Sequence, residues 1–499
     1  ITIENHGCET LWYPGKKDPL NLKGTCRTLD GSNGDNKRSE LENGLISRSG
    51  WAVIDDSWEA TRADGSHSFA LEPNPEVGYD WWAYRNDPQA IDLYFMGYGN
   101  EYKKAIGDFT KIAGKIPLPP AYVFGYWYSR YYSYSADDYR EIMREIKKND
   151  IPTDVMILDM DWHWNGKASS ESENIGGWTG WSWNTNLIPE PTKLLQEIHD
   201  NGYKIALNLH PADGIDSIES PSYYKAMSRE LGGKYGSNGK IAWYLDYPDF
   251  TKSFFDNVIR DHESEGVDFW WLDWQQHLTS PYTPGLGQTF WCNHVFYNDM
   301  VKNRPDRRPV IFHRWGGLGS HRYQIGFSGD ALINFPTLAF EPYFTSTASN
   351  VGYAFWGHDL GGHAFTDEKS ACRFIASRPD RLPRDVPQGR NRRKARLRTQ
   401  DVPNGRRAYA ARYARAACRV RGEELLESFR LLRHLLRRFA RGDRAGVRRL
   451  RQSARADARR TRFAVRPDHF VESRGRFGDV RLFCRAVREI PVRSQFADA

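Results

Sequence analysis

The chain has 499 residues, 14% of them aromatic, 27% charged and 18 of them tryptophan, so it can bury a large core and is too aromatic to be disordered throughout. No run of about 18 apolar residues occurs, which excludes a membrane-spanning helix of ordinary composition. The formal net charge of +7 averages two unlike parts: residues 1–370 carry about 16 more acids than bases, and residues 371–499 about 23 more bases than acids.

The chain opens on Ile1 rather than Met and shows no charged-then-apolar leader, so its beginning reads as incomplete and no compartment can be assigned. Residues 1–115 are punctuated by the turn pairs Asp30-Gly31, Asn33-Gly34, Asn43-Gly44 and Asp64-Gly65, between short apolar stretches such as Gly50 to Ile54 and Ala90 to Met96. Short strands at that spacing predict part of a β-sandwich. Three prolines in Ile116-Pro117-Leu118-Pro119-Pro120 disfavour helix and mark residues 116–121 as a linker.

Over residues 122–369, short apolar runs alternate with amphipathic stretches of helical length, the pattern of repeated β/α units. Strands are predicted at Tyr122 to Tyr132, Val155 to Trp162, Lys204 to His210, Val267 to Asp273, Pro309 to Arg314, Gln324 to Asp330 and Tyr353 to Asp359. Helices are predicted at Ser135 to Lys148, opening on a capping box, at Pro191 to Asp200, stopped by Asn201-Gly202, and at Phe250 to Glu265, closed by Gly266. Seven such strands predict an α/β fold of the (β/α)8 TIM-barrel type, whose eighth unit falls where the composition breaks.

Residues 370–499 hold about 35 arginines but a single lysine, Lys394, and no Trp or Met. A basic nucleic-acid or membrane arm and a helical domain around Glu423 to Arg438 are two readings. The third, which the composition favours, is a GC-rich stretch translated out of frame and so non-native. Of the six cysteines, Cys8, Cys26, Cys292, Cys372, Cys418 and Cys484, none forms a C-x-x-C pair or zinc-ligand spacing, so neither a disulfide framework nor a metal is expected. No cofactor motif is present.

A barrel of this type places its active site at the C-terminal ends of its strands. Those ends offer Arg130, Asp159, Asp161, His210, Asp273, Arg314, Asp330, His358 and Asp359. One such aspartate is as readily a helix cap as a catalyst. A whole ring of acids with two arginines is better explained by chemistry, and paired carboxylates without a metal cluster or phosphate loop suit glycosidic bond cleavage. Trp178, Trp181, Trp183, Trp270, Trp271, Trp274, Trp315 and Trp356 offer flat faces to sugars, though core packing accounts equally well for about half of them, Trp270 included.

The segment from Tyr122 to His363 resembles the catalytic barrel of glycoside hydrolase family 31, retaining enzymes that act on α-linked sugars. The resemblance rests on YWYSRYYSYS (Tyr126 to Ser135), LDMDWH (Leu158 to His163), WWLDWQQ (Trp270 to Gln276), HRWGGLGSHRYQIGFSGD (His313 to Asp330) and GHDLGG (Gly357 to Gly362). It implies that Asp273 is the nucleophile, Asp330 the general acid/base and Arg314 a contact to the sugar being cleaved. It also implies that Asp159 and Asp359 hold sugar hydroxyls, and His358, Asp161, Trp271 and His210 line the pocket. Two departures stand out: Asp273 is followed by Trp274-Gln275-Gln276 where many family α-glucosidases have Met-Asn-Glu, and no strand-eight segment follows Asp359. The resemblance implies an α-glucosidase-like hydrolase of oligosaccharides or glycoconjugates, with no nucleic-acid or membrane partner. An α-N-acetylgalactosaminidase, an α-galactosidase and an inactive carbohydrate-binding relative are the alternatives.

Overall fold

The computed structural model describes residues 2–5, 8–26, 41–56, 69–84, 91–164, 178–273, 279–314, 317–358 and 364–365. Asp359, Trp274, Trp315 and the Arg-rich segment lie outside them.

The N-terminal part forms antiparallel pairs: β1 (Thr2–Asn5) with β2 (Cys8–Leu11), β3 (Ala52–Asp55) with β6 (Leu93–Met96), and β4 (Phe69–Asn74) with β5 (Tyr79–Tyr84). A helix the turn pattern did not foretell, α1 (Tyr102–Ile112), follows and buries Ala105 and Phe109.

The barrel strands are β7 (Tyr126–Tyr128), β8 (Thr153–Leu158), β9 (Lys204–Leu209), β13 (Phe269–Leu272), β14 (Ile311–Arg314), β15 (Gly326–Phe327) and β17 (Trp356–Gly357). All neighbours in this series pair in parallel, in chain order, as repeated β/α units require. The predicted strands are therefore present but shorter. Residues Ala121–Phe124 and Met160–Trp162 are single 3-10 turns rather than strand. The sheet curls: Trp127 of β7 meets Phe312 of β14 at 5.1 Å, although three strands separate them, and Phe124 and Phe355 bring the two edges within 5.5 Å. Among the described residues the fold is thus an incomplete (β/α)8 barrel. A separate parallel pair, β16 (Leu332–Ile333) and β18 (Ala364–Phe365), lies beyond β15.

The helices begin and end where local chemistry dictates. α2 (Ala136–Lys148) opens on Ser135, whose Oγ accepts the Asp138 N–H at 3.2 Å while the Asp138 carboxylate accepts the Ser135 N–H at 2.8 Å. Asp137 and Asp138 face the positive end of the helix dipole, Lys147 and Lys148 the negative end, and Tyr139, Met143 and Ile146 form its buried stripe. α3 (Pro191–Asp200) starts on proline and buries Leu194, Leu195 and Ile198. α5 (Pro248–Phe254) runs through a π-helical turn (Phe255–Ile259) into α6 (Arg260–Glu265), which ends at Gly266 with φ +127°.

α7 (Gln288–Asn303) is buried almost all round. The hairpin of β4 and β5 covers its outer side, with Trp81 edge-on to Trp291 at 4.7 Å and Lys302 donating to the Val77 carbonyl at 2.7 Å. An excursion after β9 carries β10 (Ile215–Asp216), α4 (Pro221–Glu230), β11 (Gly236–Ser237) and β12 (Lys240–Ile241), a small antiparallel sheet. Its entry turns at Gly214, φ +73°, where a Cβ would stand 2.1 Å from the Ile241 carbonyl oxygen. α8 (Phe335–Ser349), N-capped by Asn334, joins β16 to β17.

Candidate active site

Strand alternation decides what each barrel strand presents to the interior. In β13, Trp270 faces the helices, its indole N–H 3.4 Å from Glu263, whereas Trp271 packs inside against Phe312 and Phe327 at 5.3 and 5.4 Å. Asp273 lies two residues after Trp271 and shares its face. In β14 the same alternation puts Phe312 and Arg314 inside, and the Arg314 guanidinium lies over the Phe327 ring at 4.9 Å.

Arg314, with 1% of its surface exposed, joins the two carboxylates singled out from sequence. Its Nε and Nη2 donate to Asp273 Oδ1 at 2.9 and 2.7 Å, and Nη2 also donates to Asp330 Oδ1 at 3.3 Å. Two oxygens sharing one nitrogen at those distances lie within roughly 6 Å of each other, short of the roughly 6.5 to 9.5 Å that leaves room for a water between paired carboxylates. Burial pushes the Asp273 carboxyl up, and Arg314, then His210 and the Asn208 amide, more than offset it and hold the group at about 2. Asp273 is therefore ionised at neutral pH. Asp330 is more open, its side chain 38% exposed.

His210, next after β9, places Nε2 3.5 Å from Asp273 Oδ2, and its ring lies 5.4 Å from Trp178. Burial drives its imidazole below the ordinary value, Asp273 opposing and Arg314 assisting, so it is neutral. Its Nδ1 and the Trp271 Nε1 are buried without a hydrogen-bond partner among the described residues. Asp159, after β8, accepts the Met160 N–H at 2.8 Å. Burial above all raises it to about 8, against that hydrogen bond and with help from the nearby Asp273, Asp161 and Asp330 charges. Asp161 accepts the Ser133 hydroxyl. His358 bonds Ser328 Oγ at 2.9 Å and Thr345 Oγ1 at 2.7 Å, which ties it to the β15 loop and α8. Direct contacts thus unite Asp273, Arg314, Asp330 and His210; Asp159 joins them through its field.

Asn208 was not anticipated. Its Nδ2 donates to Asp273 Oδ2 at 2.9 Å, while the Trp162 indole fixes its backbone carbonyl at 2.9 Å. The signal was present in KIALNLH: an amide two residues before His210, in an otherwise apolar strand, has to face the same way as that histidine. His313 braces the end of β14 from outside, its Nδ1 meeting Asn293 and the Arg314 carbonyl and its Nε2 the Tyr353 hydroxyl at 2.8 Å. Trp181 and Trp183 fall with the half of the eight tryptophans that core packing accounts for: both are buried, Trp181 donating to the Gly214 carbonyl at 2.9 Å and Trp183 to Glu265 at 2.7 Å. No group of three or more His, Cys, Asp and Glu side chains stands ready to hold a metal among the described residues.

Residues 116–377 match the family model described as the glycosyl hydrolases family 31 TIM-barrel domain. The chain belongs to glycoside hydrolase family 31. An α-xylosidase of Saccharolobus solfataricus is 25% identical over 292 residues, which are 54% of this family 31 chain and 37% of the relative. Alpha-glucosidase 2 of Bacillus thermoamyloliquefaciens is 22% identical over 322 residues, 58% of this chain and 39% of its own length. The family 31 chain thus spans little more than a third of the length of these curated relatives. A solved family 31 dextranase of Flavobacterium johnsoniae, complexed with glucose, superposes with a TM-score of 0.49 at 18% identity, over 66% of this chain and 42% of that one.

Proposed function

We propose that the chain is a retaining α-glycosidase that cleaves a terminal α-linked sugar, an α-glucoside in the first instance, by double displacement. The observation that carries this reading is the single Arg314 nitrogen shared by Asp273 and Asp330, because carboxylates that close suit direct attack rather than activation of an intervening water. Asp273, held ionised, attacks the anomeric carbon with an oxygen lone pair. The glycosidic C–O bond breaks, its electron pair passes to the leaving oxygen, and Asp330 gives that oxygen its proton. Asp330 then removes a proton from water, which attacks the anomeric carbon and returns Asp273 as carboxylate.

Their unequal claims on Arg314 support the division of roles: two short contacts commit the guanidinium to Asp273, the group that must stay charged, whereas Asp330, contacted at a longer distance, has a side chain 38% exposed and within reach of solvent for proton exchange. In this reading Asp159 and His210 accept or donate hydrogen bonds to ring hydroxyls, and Asp359 takes a similar role by resemblance to the family.

Azide rescue tests the assignment. With α-glucosyl fluoride, Asp273→Ala is expected to form β-glucosyl azide. Asp330→Ala, acting on an aryl α-glucoside, is expected to form α-glucosyl azide through the intact intermediate. The same anomer from both variants, or rescue of neither, overturns the roles. Comparing 4-nitrophenyl α-glucoside with the α-xyloside, α-galactoside and α-N-acetylgalactosaminide identifies the sugar; the largest kcat/KM is expected on the glucoside.

A further inference from the structure

Trp178 has no part in the chemistry above, yet it stands beside it. Its ring centre lies 5.4 Å from that of His210, whose Nε2 is 3.5 Å from Asp273 Oδ2. The two ring planes meet at 49°, so the imidazole does not lie flat on the indole. Trp178 belongs to the connection that leaves β8, and His210 follows β9, the next strand of the sheet. Both therefore stand at the C-terminal ends of adjacent strands, the end at which such a barrel reacts.

The backbone that carries the indole is anchored. The Thr179 hydroxyl donates to the His210 carbonyl, and its oxygen accepts the Asp213 N–H at 3.1 Å. The Trp181 and Ser182 N–H groups both donate to Glu219 Oε1 at 2.9 Å. These bonds tie the segment to the excursion after β9, so little order remains to be imposed on it when a ligand binds.

Exposure gives the pocket a direction. Arg314, His210 and Asp273 are 1, 6 and 8% exposed, whereas Trp178 is partly open to solvent. Asp330, the proton donor to the leaving oxygen in the reading above, is also on the open side. A terminal sugar enters such a pocket end first, and its leaving group stays outermost.

We propose that Trp178 is a specificity-determining residue of the leaving-group subsite, where its indole face holds the pyranose next to the scissile bond. A flat apolar face matches the C–H face of a sugar ring and offers less to an acyclic chain. The substrate is then an oligosaccharide rather than a sugar linked directly to a peptide or a lipid. The proposal rests on the reading of Asp273 and Asp330 as the reacting pair, and its test compares leaving groups, so that the two can fail separately.

Initial rates would be measured on α-glucosyl fluoride, whose leaving group has no ring, and on maltose, isomaltose, nigerose and kojibiose. If the wild type prefers another glycone, the fluoride and disaccharides of that sugar replace them. Each variant is compared with wild type on the same substrate, so the intrinsic reactivity of the leaving group cancels. Trp178→Ala is expected to lower kcat/KM on the best disaccharide at least tenfold more than on the fluoride. Trp178→Leu, which keeps bulk without a flat face, should do the same and keeps the test decisive if the alanine variant does not fold. Trp178→Phe should recover most of the difference. Equal losses on fluoride and disaccharide, or a phenylalanine variant no better than leucine, overturn the subsite and leave the catalytic reading in place. So does a wild type that hydrolyses the fluoride but none of the disaccharides. A wild type inactive on every substrate overturns both.

Discussion

Replacing Arg314 by Met would take both guanidinium bonds from the buried Asp273 carboxylate, which keeps the Asn208 amide N–H and has a neutral His210 beside it. In the native site burial is the largest influence on Asp273 and Arg314 the first to oppose it, with the balance at about 2 against the ordinary 3.8. Removing one member of a buried ion pair costs about 3 to 5 kcal/mol. At about 1.4 kcal/mol per unit, that loss lifts Asp273 by roughly 2 to 4 units, to about 4 to 6. The acid limb of kcat/KM, which reports the free enzyme, is then expected to move from below the assay range into it. Initial rates on an aryl α-glycoside from pH 4 to 8 measure this. Arg314→Lys should move the limb less than Arg314→Met. At pH 7, where Asp273 is ionised in either case, the remaining loss of about 10²- to 10³-fold reflects missing charge stabilisation in the transition state. The sign for stability follows. Wild-type Asp273, depressed on folding, adds stability that is present above about pH 4 and lost as the pH falls toward 2, whereas the raised carboxyl of the variant subtracts stability as the pH climbs past 4. An acid limb that stays put in Arg314→Met would show that the guanidinium does not govern this carboxylate.

Asp159→Asn should be more stable than wild type at neutral pH. A carboxyl raised to about 8 keeps its stability below pH 4 and loses it between 4 and 8, so the gap in urea-denaturation free energy should grow from about 1 kcal/mol at pH 4.5 toward roughly 4 kcal/mol at pH 7, and a gap independent of pH would contradict the assignment. Asn208→Leu removes one hydrogen bond to Asp273 and should shift the same acid limb upward by less than Arg314→Met does, with a loss in kcat/KM of about tenfold to a hundredfold. Gly326→Ala would place a Cβ 2.4 Å from Tyr353 Cε1 and 2.6 Å from Trp356 Cζ3, and should cost about 1 to 3 kcal/mol, read as a lowered thermal midpoint. Ser135→Ala removes a cap far from the chemistry and should cost about 1 kcal/mol with kcat/KM unchanged.

What was legible in the sequence had a local cause. Ser135 and Asp138 define the start of α2 within four residues, and Asn201-Gly202 stops α3 where its apolar stripe ends. The strand termini were readable because a fully buried parallel strand has little reason to end in Asp or Arg other than its position at the barrel mouth. The excursion after β9 escaped notice because its strands are two residues long and too short for any period to show. The role of the β4–β5 hairpin escaped for another reason. Trp81 and Trp82 fall in the span read only as part of a sandwich, and nothing nearby in sequence tells that their partners are Trp291 and Asp246, more than 160 residues away. Asn208 lay between these cases, its direction set by alternation but its partner only by the fold.

The balance of charge at the barrel mouth links these observations. Arg314 is the cation placed among Asp273, Asp330 and Asp159, and His210 is kept neutral by burial. Asp273 and Asp159 are buried whereas Asp330 is partly open to water, so the two buried carboxylates compete most directly for the guanidinium's field, and a proton can take its place on one of them. The geometry decides which. Asp273 takes two guanidinium bonds and an amide and stays charged, whereas Asp159, with a backbone N–H from Met160, stays protonated until about pH 8. A neutral polyhydroxylated ligand brings O–H donors without adding charge, and each one given to Asp159 favours its ionised form. Binding of such a ligand at pH 7 should therefore release protons, and more of them in wild type than in Asp159→Asn. Calorimetric titration in buffers of different ionisation enthalpy measures that number, and equal release from the two proteins would remove Asp159 from contact with the sugar.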